Sequence, residues 1–164
     1  MIRPATPTDA TAICGIYNYY VLNTSITFEE EAVTDAEMAA RISETIAVFP
    51  WLVWEEQGEL VGYAYAGKWK NRGAYRYSAE STIYLRQDKT GRGIGRTLYE
   101  HLLRGLRDAG MHSVIGGIAL PNMPSQRLHE SLAFKQVAHF EQVGRKFEKW
   151  IDVGYWELIF SSDA

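Results

Sequence analysis

The chain has 164 residues, 46% of them hydrophobic, and a formal net charge of −3 at pH 7. This size suits one ordinary domain with its own core, so we expect a single domain over residues 1–164. Interspersed basic and acidic residues argue against a nucleic-acid partner, which would need a broad cationic surface. The N-terminus lacks an apolar signal region, and no stretch approaches the roughly 20 apolar residues that cross a bilayer. We therefore expect a cytoplasmic protein with no membrane partner.

The first fifty residues predict a strand and two helices. A short strand near Ile2 is followed by a helix from about residue 8. Its inward-packing face is expected to carry Ile13, Ile16, Tyr17, Tyr20 and Val21, which recur at helical spacing. Thr34 and Glu37 form a capping-box pattern that opens a second helix. This helix is expected to run to about Phe49, because proline follows at position 50.

A hairpin and a polar loop come next. Residues 51–55 and 59–69 are rich in β-forming side chains and flank the turn Gln57-Gly58. Residues 70–77 form a polar loop that also contains aromatic side chains. The pattern predicts two antiparallel strands before this loop.

A glycine-rich run stands between a strand that ends at Leu85 and an amphipathic helix that begins near Ile94 and stops at Gly110. This helix is expected to turn Ile94, Leu98, Leu102 and Leu106 inward. Its sequence is Gly91-Arg92-Gly93-Ile94-Gly95, with Arg96 directly after it. Glycines let the backbone approach a ligand closely, and the free N–H groups that open a helix attract anions. The run therefore predicts a site for pyrophosphate.

Other phosphate motifs fit this run poorly. A Walker loop ends in Gly-Lys-Ser/Thr, whereas Gly95 is followed by Arg96-Thr97. A dinucleotide fingerprint needs an acidic residue at the end of the next strand, where Pro121-Asn122 stands. A plain turn that caps a surface helix stays open as an alternative from these residues alone.

The remaining chain predicts a strand, a helix and two closing strands. Residues 114–120 are continuously apolar, as in a strand covered on both faces. A short helix is expected at about 124–132, followed by strands at 134–143 and 155–160.

This order of elements resembles the GNAT N-acetyltransferase fold over essentially the whole chain. Five segments narrow the likeness to the phosphinothricin and methionine sulfoximine N-acetyltransferases: residues 49–53, 63–67, 79–84, 120–122 and 153–156. The resemblance implies an α/β (α+β) fold with a central mixed, mostly antiparallel, twisted sheet of about seven strands and four helices. It also implies acetyl-CoA as cosubstrate, with its pyrophosphate in the glycine run, and no metal.

Two residues are expected to be catalytic. Glu80 begins a strand with partly apolar neighbours, so desolvation could raise its pKa toward that of a useful base. The resemblance also implies a catalytic glutamate there. His129 matches the histidine of the phosphinothricin-like group, and an imidazole of modestly raised pKa is a competent acid for a thiolate leaving group. Its role as that acid, or as a relay working with Glu80, stays open.

The resemblance implies further contacts with acetyl-CoA. These are expected from Tyr84, Leu85, Arg92, Gly93, Ile94, Gly95, Arg96, Asn122 and Ser125. A backbone N–H near Tyr84 or Leu85 is expected to hold the carbonyl oxygen, where two strands of the fold splay apart. Asn122 and Ser125 could equally cap the following helix. Thr90 replaces a glutamine or arginine common in the family, so binding is expected to depend more on Arg92 and Arg96.

The substrate is expected to be a small amino-acid analogue. Lys70 and Arg72 could pair with its carboxylate or phosphinate. Aromatic and polar side chains could wall its pocket, namely Phe28, Tyr75, Thr82 and Tyr84. These residues could also be ordinary loop and core residues.

The sequence therefore predicts an N-acetyltransferase that acetylates the α-amino group of phosphinothricin, methionine sulfoximine or methionine sulfone. Natural amino acids, peptide N-termini and polyamines are alternative substrates, although the cations at 70 and 72 argue against polyamines. A non-catalytic acetyl-CoA-binding regulatory module is a further alternative. The resemblance also implies a homodimer with substrate pockets close to its interface, and it raises herbicide resistance as an outcome.

Overall fold

Seven strands and four helices make up the structure, a computed structural model that describes residues 1–161. The helices are α1 (Ala10–Asn23), α2 (Asp35–Ile46), α3 (Ile94–Asp108) and α4 (Met123–Ser131). The strands are β1 (Ile2–Pro4), β2 (Trp51–Glu56), β3 (Glu59–Lys68), β4 (Ser78–Leu85), β5 (Ser113–Ala119), β6 (Lys135–Lys146) and β7 (Lys149–Ile159).

All seven strands join one sheet in the order β1-β2-β3-β4-β5-β7-β6. The pair β4 and β5 is parallel, and each of the other five pairings is antiparallel. Helix α3 connects the parallel pair, because parallel neighbours need a crossover rather than a tight turn. The predicted mixed, mostly antiparallel sheet with four helices is confirmed.

The helices cover both faces of the sheet. On one face, α1 and α2 pack their buried side chains against Trp51, Val53 and Tyr63. On the other face, α3 buries the predicted residues Ile94, Leu98, Leu102 and Leu106, the last three of them against strand residues. No helix within residues 1–161 has the length and apolar character needed to span a membrane.

Helix α2 begins with the predicted capping box. The Thr34 hydroxyl accepts from the Glu37 backbone N–H at 3.2 Å, and the Glu37 carboxylate accepts from the Thr34 N–H at 3.1 Å. The helix ends at Ile46, three residues before the predicted end. Phe49 still donates its N–H to Thr45 at 2.8 Å, so a turn rather than a helical segment leads into Pro50.

The closing hairpin differs from the prediction. Strand β6 extends to Lys146, and β7 begins at Lys149, six residues before the expected start. The two-residue turn between them consists of Phe147 and Glu148, with φ of 50° and 61°. Positive φ is typical of glycine or asparagine in such turns, so neither residue gave a turn signal.

Candidate active site

The strands β4 and β5 separate near the middle of the sheet. Their pairing covers three positions and ends at Glu80 and Ile115, although both strands continue. A cleft of about 460 Å³ and a smaller one of about 90 Å³ open there. Both are lined by Ile26, Ile83, Tyr84, Asn122 and Ser125. The two cavities adjoin at these shared residues; we refer to them together as the cleft, with the larger as its wide end and the smaller as its narrow end.

The glycine run lies at the wide end of this cleft. Gly91 and Gly93 have φ of 74° and 79°, a left-handed conformation that favours glycine. Gly93 is the N-terminal cap of α3 and has no side chain to accept its first N–H groups. Thr90, Gly91, Gly93, Gly95 and Arg96 all line the larger cavity. The run thus brings open N–H groups and the positive end of a helix to the cleft.

The two arginines of this region differ in their placement. Arg96 lines the cleft and has its Nε 2.9 Å from a carboxylate oxygen of Glu100, one turn along α3. Arg92 instead points toward Glu56, with 3.4 Å between Nη1 and the carboxylate oxygen. Both arginine side chains are more than half exposed, so their ion pairs with Glu56 and Glu100 are weak. An anion can therefore displace these carboxylates from the arginines.

Glu80 lies at the narrow end of the cleft, beside Thr82 on β4. Burial raises the pKa of Glu80 above its ordinary value of 4.5, and the charge of Lys70 partly opposes this. The predicted direction of the pKa shift is confirmed. A partly buried carboxylate at the fork of two strands is placed to take a proton from a group in the cleft.

His129 lines the same narrow end, from α4, and is 4% exposed. Its Nδ1 lies 2.7 Å from the carbonyl oxygen of Ser125, and its Nε2 lies 3.1 Å from the hydroxyl of Tyr99. A carbonyl only accepts, so Nδ1 carries the proton and Nε2 accepts from Tyr99. Burial lowers the pKa of His129 below 6.5. The raised pKa that would suit an acid for the thiolate is therefore not found, because the helix packs the ring inside the fold.

Tyr99 is a site residue that the sequence did not reveal. Its hydroxyl bonds to Ser81 on β4 as well as to His129. Tyr99 sits on α3 and is fully buried, and nothing in its local sequence distinguishes it from an ordinary core residue. The three side chains form a hydrogen-bonded chain that links β4, α3 and α4.

Asn122 and Ser125 combine the two roles that the sequence left open. The Asn122 side-chain oxygen accepts from the Ser125 N–H at 3.2 Å and so caps α4. Both residues also line the cleft. The Leu85 carbonyl accepts from the Tyr20 hydroxyl at 2.5 Å, which ties the end of β4 to α1. Tyr20 lines the larger cavity and was interpreted from sequence as part of a packing face.

The residues expected to bind substrate are only partly brought together. Thr82 and Tyr84 line the cleft, and the charge of Lys70 reaches Glu80. Arg72 and Tyr75 lie at a short turn before β4, outside the lining of the cleft.

Phe28 also lies outside the cleft lining, because it packs on Gly144 of β6. Ile26, two residues earlier in the same loop, lines both parts of the cleft instead. Within residues 1–161, no group of three or more histidine, cysteine or acidic side chains is placed to hold a metal ion.

Comparison with known proteins agrees with this geometry. Residues 2–154 match the family model of the acetyltransferase (GNAT) domain. The chain is 40% identical to the phosphinothricin N-acetyltransferase of Streptomyces viridochromogenes, over 99% of this chain and 89% of that one. It is 37% identical to the L-methionine sulfoximine/L-methionine sulfone acetyltransferase of Salmonella typhimurium, over 99% and 96% of the two chains.

A solved structure shows the same architecture. It is an acetyltransferase from Salmonella typhimurium with its cofactor acetyl-CoA. The TM-score is 0.95 at 35% sequence identity, over all of this chain and 95% of that one. The forked strands, the glycine run at a helix start and these matches together show that the chain belongs to the GNAT acetyltransferase family.

Proposed function

We propose that this protein transfers an acetyl group from acetyl-CoA to the α-amino group of small amino-acid analogues such as methionine sulfoximine, methionine sulfone and phosphinothricin. One observation carries the proposal: at the fork of β4 and β5, the cavity lined by the glycine run adjoins the cavity lined by Glu80, and the two share five lining residues. Related proteins of similar length are named for these substrates.

The wide end of the cleft fits the cosubstrate. Open N–H groups at the start of α3 and the guanidinium of Arg96 match a pyrophosphate, with Gly93, Ile94 and Gly95 as the backbone contacts. Gly95 also keeps α3 close to β4, since a Cβ there would lie 3.3 Å from a Leu85 methyl group. Asn122 and Ser125 continue the wall toward Glu80 and are proposed to hold the pantetheine arm.

The residues at the fork are proposed to carry out different steps of the acetyl transfer. Acetyl-CoA supplies the acetyl group as a thioester. Glu80, with its raised pKa, accepts the proton that the amine loses as the amide bond forms, directly or through water. Beyond Glu80, the edge of β4 that faces β5 is not paired with it over residues 81–85 of the described chain. A backbone N–H of Tyr84 or Leu85 on this edge is proposed to stabilise the carbonyl oxygen.

His129 serves as a proton relay in this proposal. A neutral imidazole of lowered pKa is a poor acid at pH 7, which favours the relay over the acid that the sequence left open. The Tyr99 hydroxyl, which donates to Nε2 of His129 and also bonds to Ser81, holds the ring in place at the narrow end of the cleft. As the carbon–sulfur bond breaks, the thiolate takes up a proton in the cleft, which balances the proton that the amine gives to Glu80.

Substrate recognition is proposed to use the cations before β4. Lys70 is close enough to lower the pKa of Glu80, so its charge is available to a carboxylate or phosphinate at the fork. Arg72 and Tyr75 lie on the adjoining turn and would need a movement of that turn to take part. Thr82 and Tyr84 provide the wall of the pocket.

We also propose a homodimer of single-domain chains. Five apolar side chains on the closing hairpin are each more than half exposed: Val137, Phe140, Val143, Phe147 and Trp150. Such a concentration of exposed apolar residues is typical of an interface. Location in the cytoplasm and a contribution to herbicide resistance stay predictions from sequence.

A thiol-release assay tests the proposed function. Acetyl-CoA is offered with methionine sulfoximine, methionine sulfone, phosphinothricin, the twenty natural amino acids, a polyamine and a short peptide. We expect release with the sulfoximine, the sulfone or phosphinothricin and little with the polyamine. Release only with the polyamine or peptide would overturn the substrate class, and binding of acetyl-CoA without any release would favour a regulatory module.

A further inference from the structure

Lys146, near the end of β6, is a buried cation that the proposed chemistry does not use. It is 3% exposed, and its Nζ donates to the carbonyl oxygens of Val21 at 2.7 Å and Thr27 at 2.8 Å. Burying an ammonium group is costly unless its charge and donors are satisfied. The two carbonyl acceptors therefore indicate a structural role for Lys146.

The two carbonyls belong to different parts of the chain. Val21 lies in the last turn of α1, where helical carbonyls have no intrahelical partner and the helix dipole is negative. Thr27 lies in the segment between α1 and α2, and we name its first part, residues 24–30, the 24–30 loop. One ammonium group thus joins the end of a helix and the following loop to strand β6.

Gly144 makes a second contact between β6 and the same loop. A Cβ at Gly144 would overlap the ring of Phe28, so the ring occupies the space that any side chain would need. The strand is irregular here, since its register with β7 shifts between Phe140 and Gly144. Asp152 stabilises the irregularity by accepting from the Gln142 N–H and from His139, each at 2.8 Å.

The loop is also attached to α1 and α2. The Thr27 hydroxyl is 2.8 Å from the Tyr17 hydroxyl, and Glu29 forms a two-pronged pair with Arg41 at 2.7 and 3.0 Å. Ile26, directly before Thr27 in the chain, lines both parts of the cleft. The position of Ile26 at the cleft therefore depends on anchors supplied by three elements.

We propose that Lys146 and Gly144 are positioning residues for the acceptor substrate: they hold the 24–30 loop against β6 and thereby set the place of Ile26 in the cleft. The effect on the acceptor substrate rests on the proposed function, whereas the attachment of the loop to β6 does not. Because acetyl-CoA is expected to bind mainly at the start of α3, loss of the anchors should affect the amino-acid substrate more than acetyl-CoA.

The first test replaces Lys146 with methionine, which keeps the stem and removes the charge. We expect KM for methionine sulfoximine to rise at least about fivefold while KM for acetyl-CoA changes less than about twofold. Lys149→Met, at an exposed position of the same hairpin, is the matched control and should change neither. An unchanged KM for the sulfoximine, or equal changes in both constants, would overturn the proposal.

The second test is a double-mutant cycle of Gly144→Ala and Phe28→Leu, followed by thermal unfolding and by both KM values. Alanine alone should lower Tm and raise KM for the sulfoximine, because its Cβ displaces the Phe28 ring. The loss should be smaller when leucine replaces Phe28, so the effects should not add. Gly15→Ala, whose Cβ would meet no atom within 4 Å, is the control.

The two readouts separate this inference from the proposed function. If the wild-type protein acetylated no substrate of the panel, the proposed function would fail while the unfolding data still tested the loop anchor. Additive effects on Tm would show that Gly144 and Phe28 are not coupled and would overturn the anchor itself.

Discussion

At the residue scale, Glu80 gains its reactivity from where it is buried. Its pKa is raised by desolvation, and the nearby charge of Lys70 limits the rise. Below that raised pKa the carboxyl is protonated and cannot accept the proton of the amine. The catalytic efficiency is therefore expected to increase with pH through a range above 4.5, the ordinary value for glutamate.

Glu80→Gln should lower kcat by about 10²- to 10⁴-fold and leave acetyl-CoA affinity unchanged. The same substitution should increase the stability of the folded protein above the pKa of Glu80. A carboxyl whose folded pKa is raised adds stability below its unfolded pKa and loses it as pH rises through the folded value. The glutamine variant should therefore match the wild type in Tm near pH 4 and exceed it at pH 8.

Steady-state kinetics and thermal unfolding at these two pH values check this prediction. Glu141→Gln, at an exposed position of β6, serves as the control and should leave both quantities unchanged. Full activity of the Glu80 variant would remove the carboxylate from the chemistry. A lower Tm at pH 8 would contradict the cost assigned to its burial.

At the element scale, α4 can place His129 at the cleft because the residue of β5 beneath the ring is Gly116, which has no side chain. A Cβ at Gly116 would lie 2.5 Å from Nε2 of His129 and 2.8 Å from Cδ2. The ring is buried and bonded at both nitrogens, so it cannot simply swing aside. The small residue on the strand and the histidine on the helix form one packing unit.

Gly116→Ala should therefore lower kcat by about tenfold or more, because it displaces His129 from Tyr99. It should also lower Tm, as expected when a well-packed core is overfilled. Circular dichroism during heating and steady-state kinetics measure the two effects. Gly105→Ala on α3, where the new Cβ would be 4.0 Å from Pro50, is the matched control. Wild-type turnover in the Gly116 variant would show that the position of the ring is unimportant.

At the scale of the whole molecule, the exposed apolar side chains of the β6–β7 hairpin lead us to expect a homodimer. We predict a species of twice the 18.6 kDa chain mass in analytical ultracentrifugation. Trp150→Glu should shift this species to the monomer, because a carboxylate would be desolvated in the interface. Val48→Glu replaces another exposed apolar residue, between α2 and β2 and remote from the hairpin, and should not. A wild-type monomer at micromolar concentration would contradict the homodimer.

Much of this architecture could be predicted from local patterns. The spacing of Leu98, Leu102 and Leu106 indicated the buried face of α3, and the Thr34-Glu37 pair marked the start of α2. Such patterns act over a few residues, so they survive without knowledge of the fold. The turn at Phe147 and Glu148 was missed because neither residue type is usual at positive φ.

The amino-acid sequence by itself determined the order of elements, the glycine run that opens α3, and the position of Glu80 on the strand before it. Tertiary structure alone decided that β4 and β5 separate after Glu80 and that Tyr99 reaches His129. It also decided that the pKa of His129 falls and that Ile26 rather than Phe28 meets the cleft. The physical reason is that backbone conformation follows from near neighbours, whereas burial, pKa and cleft lining depend on residues distant in the chain.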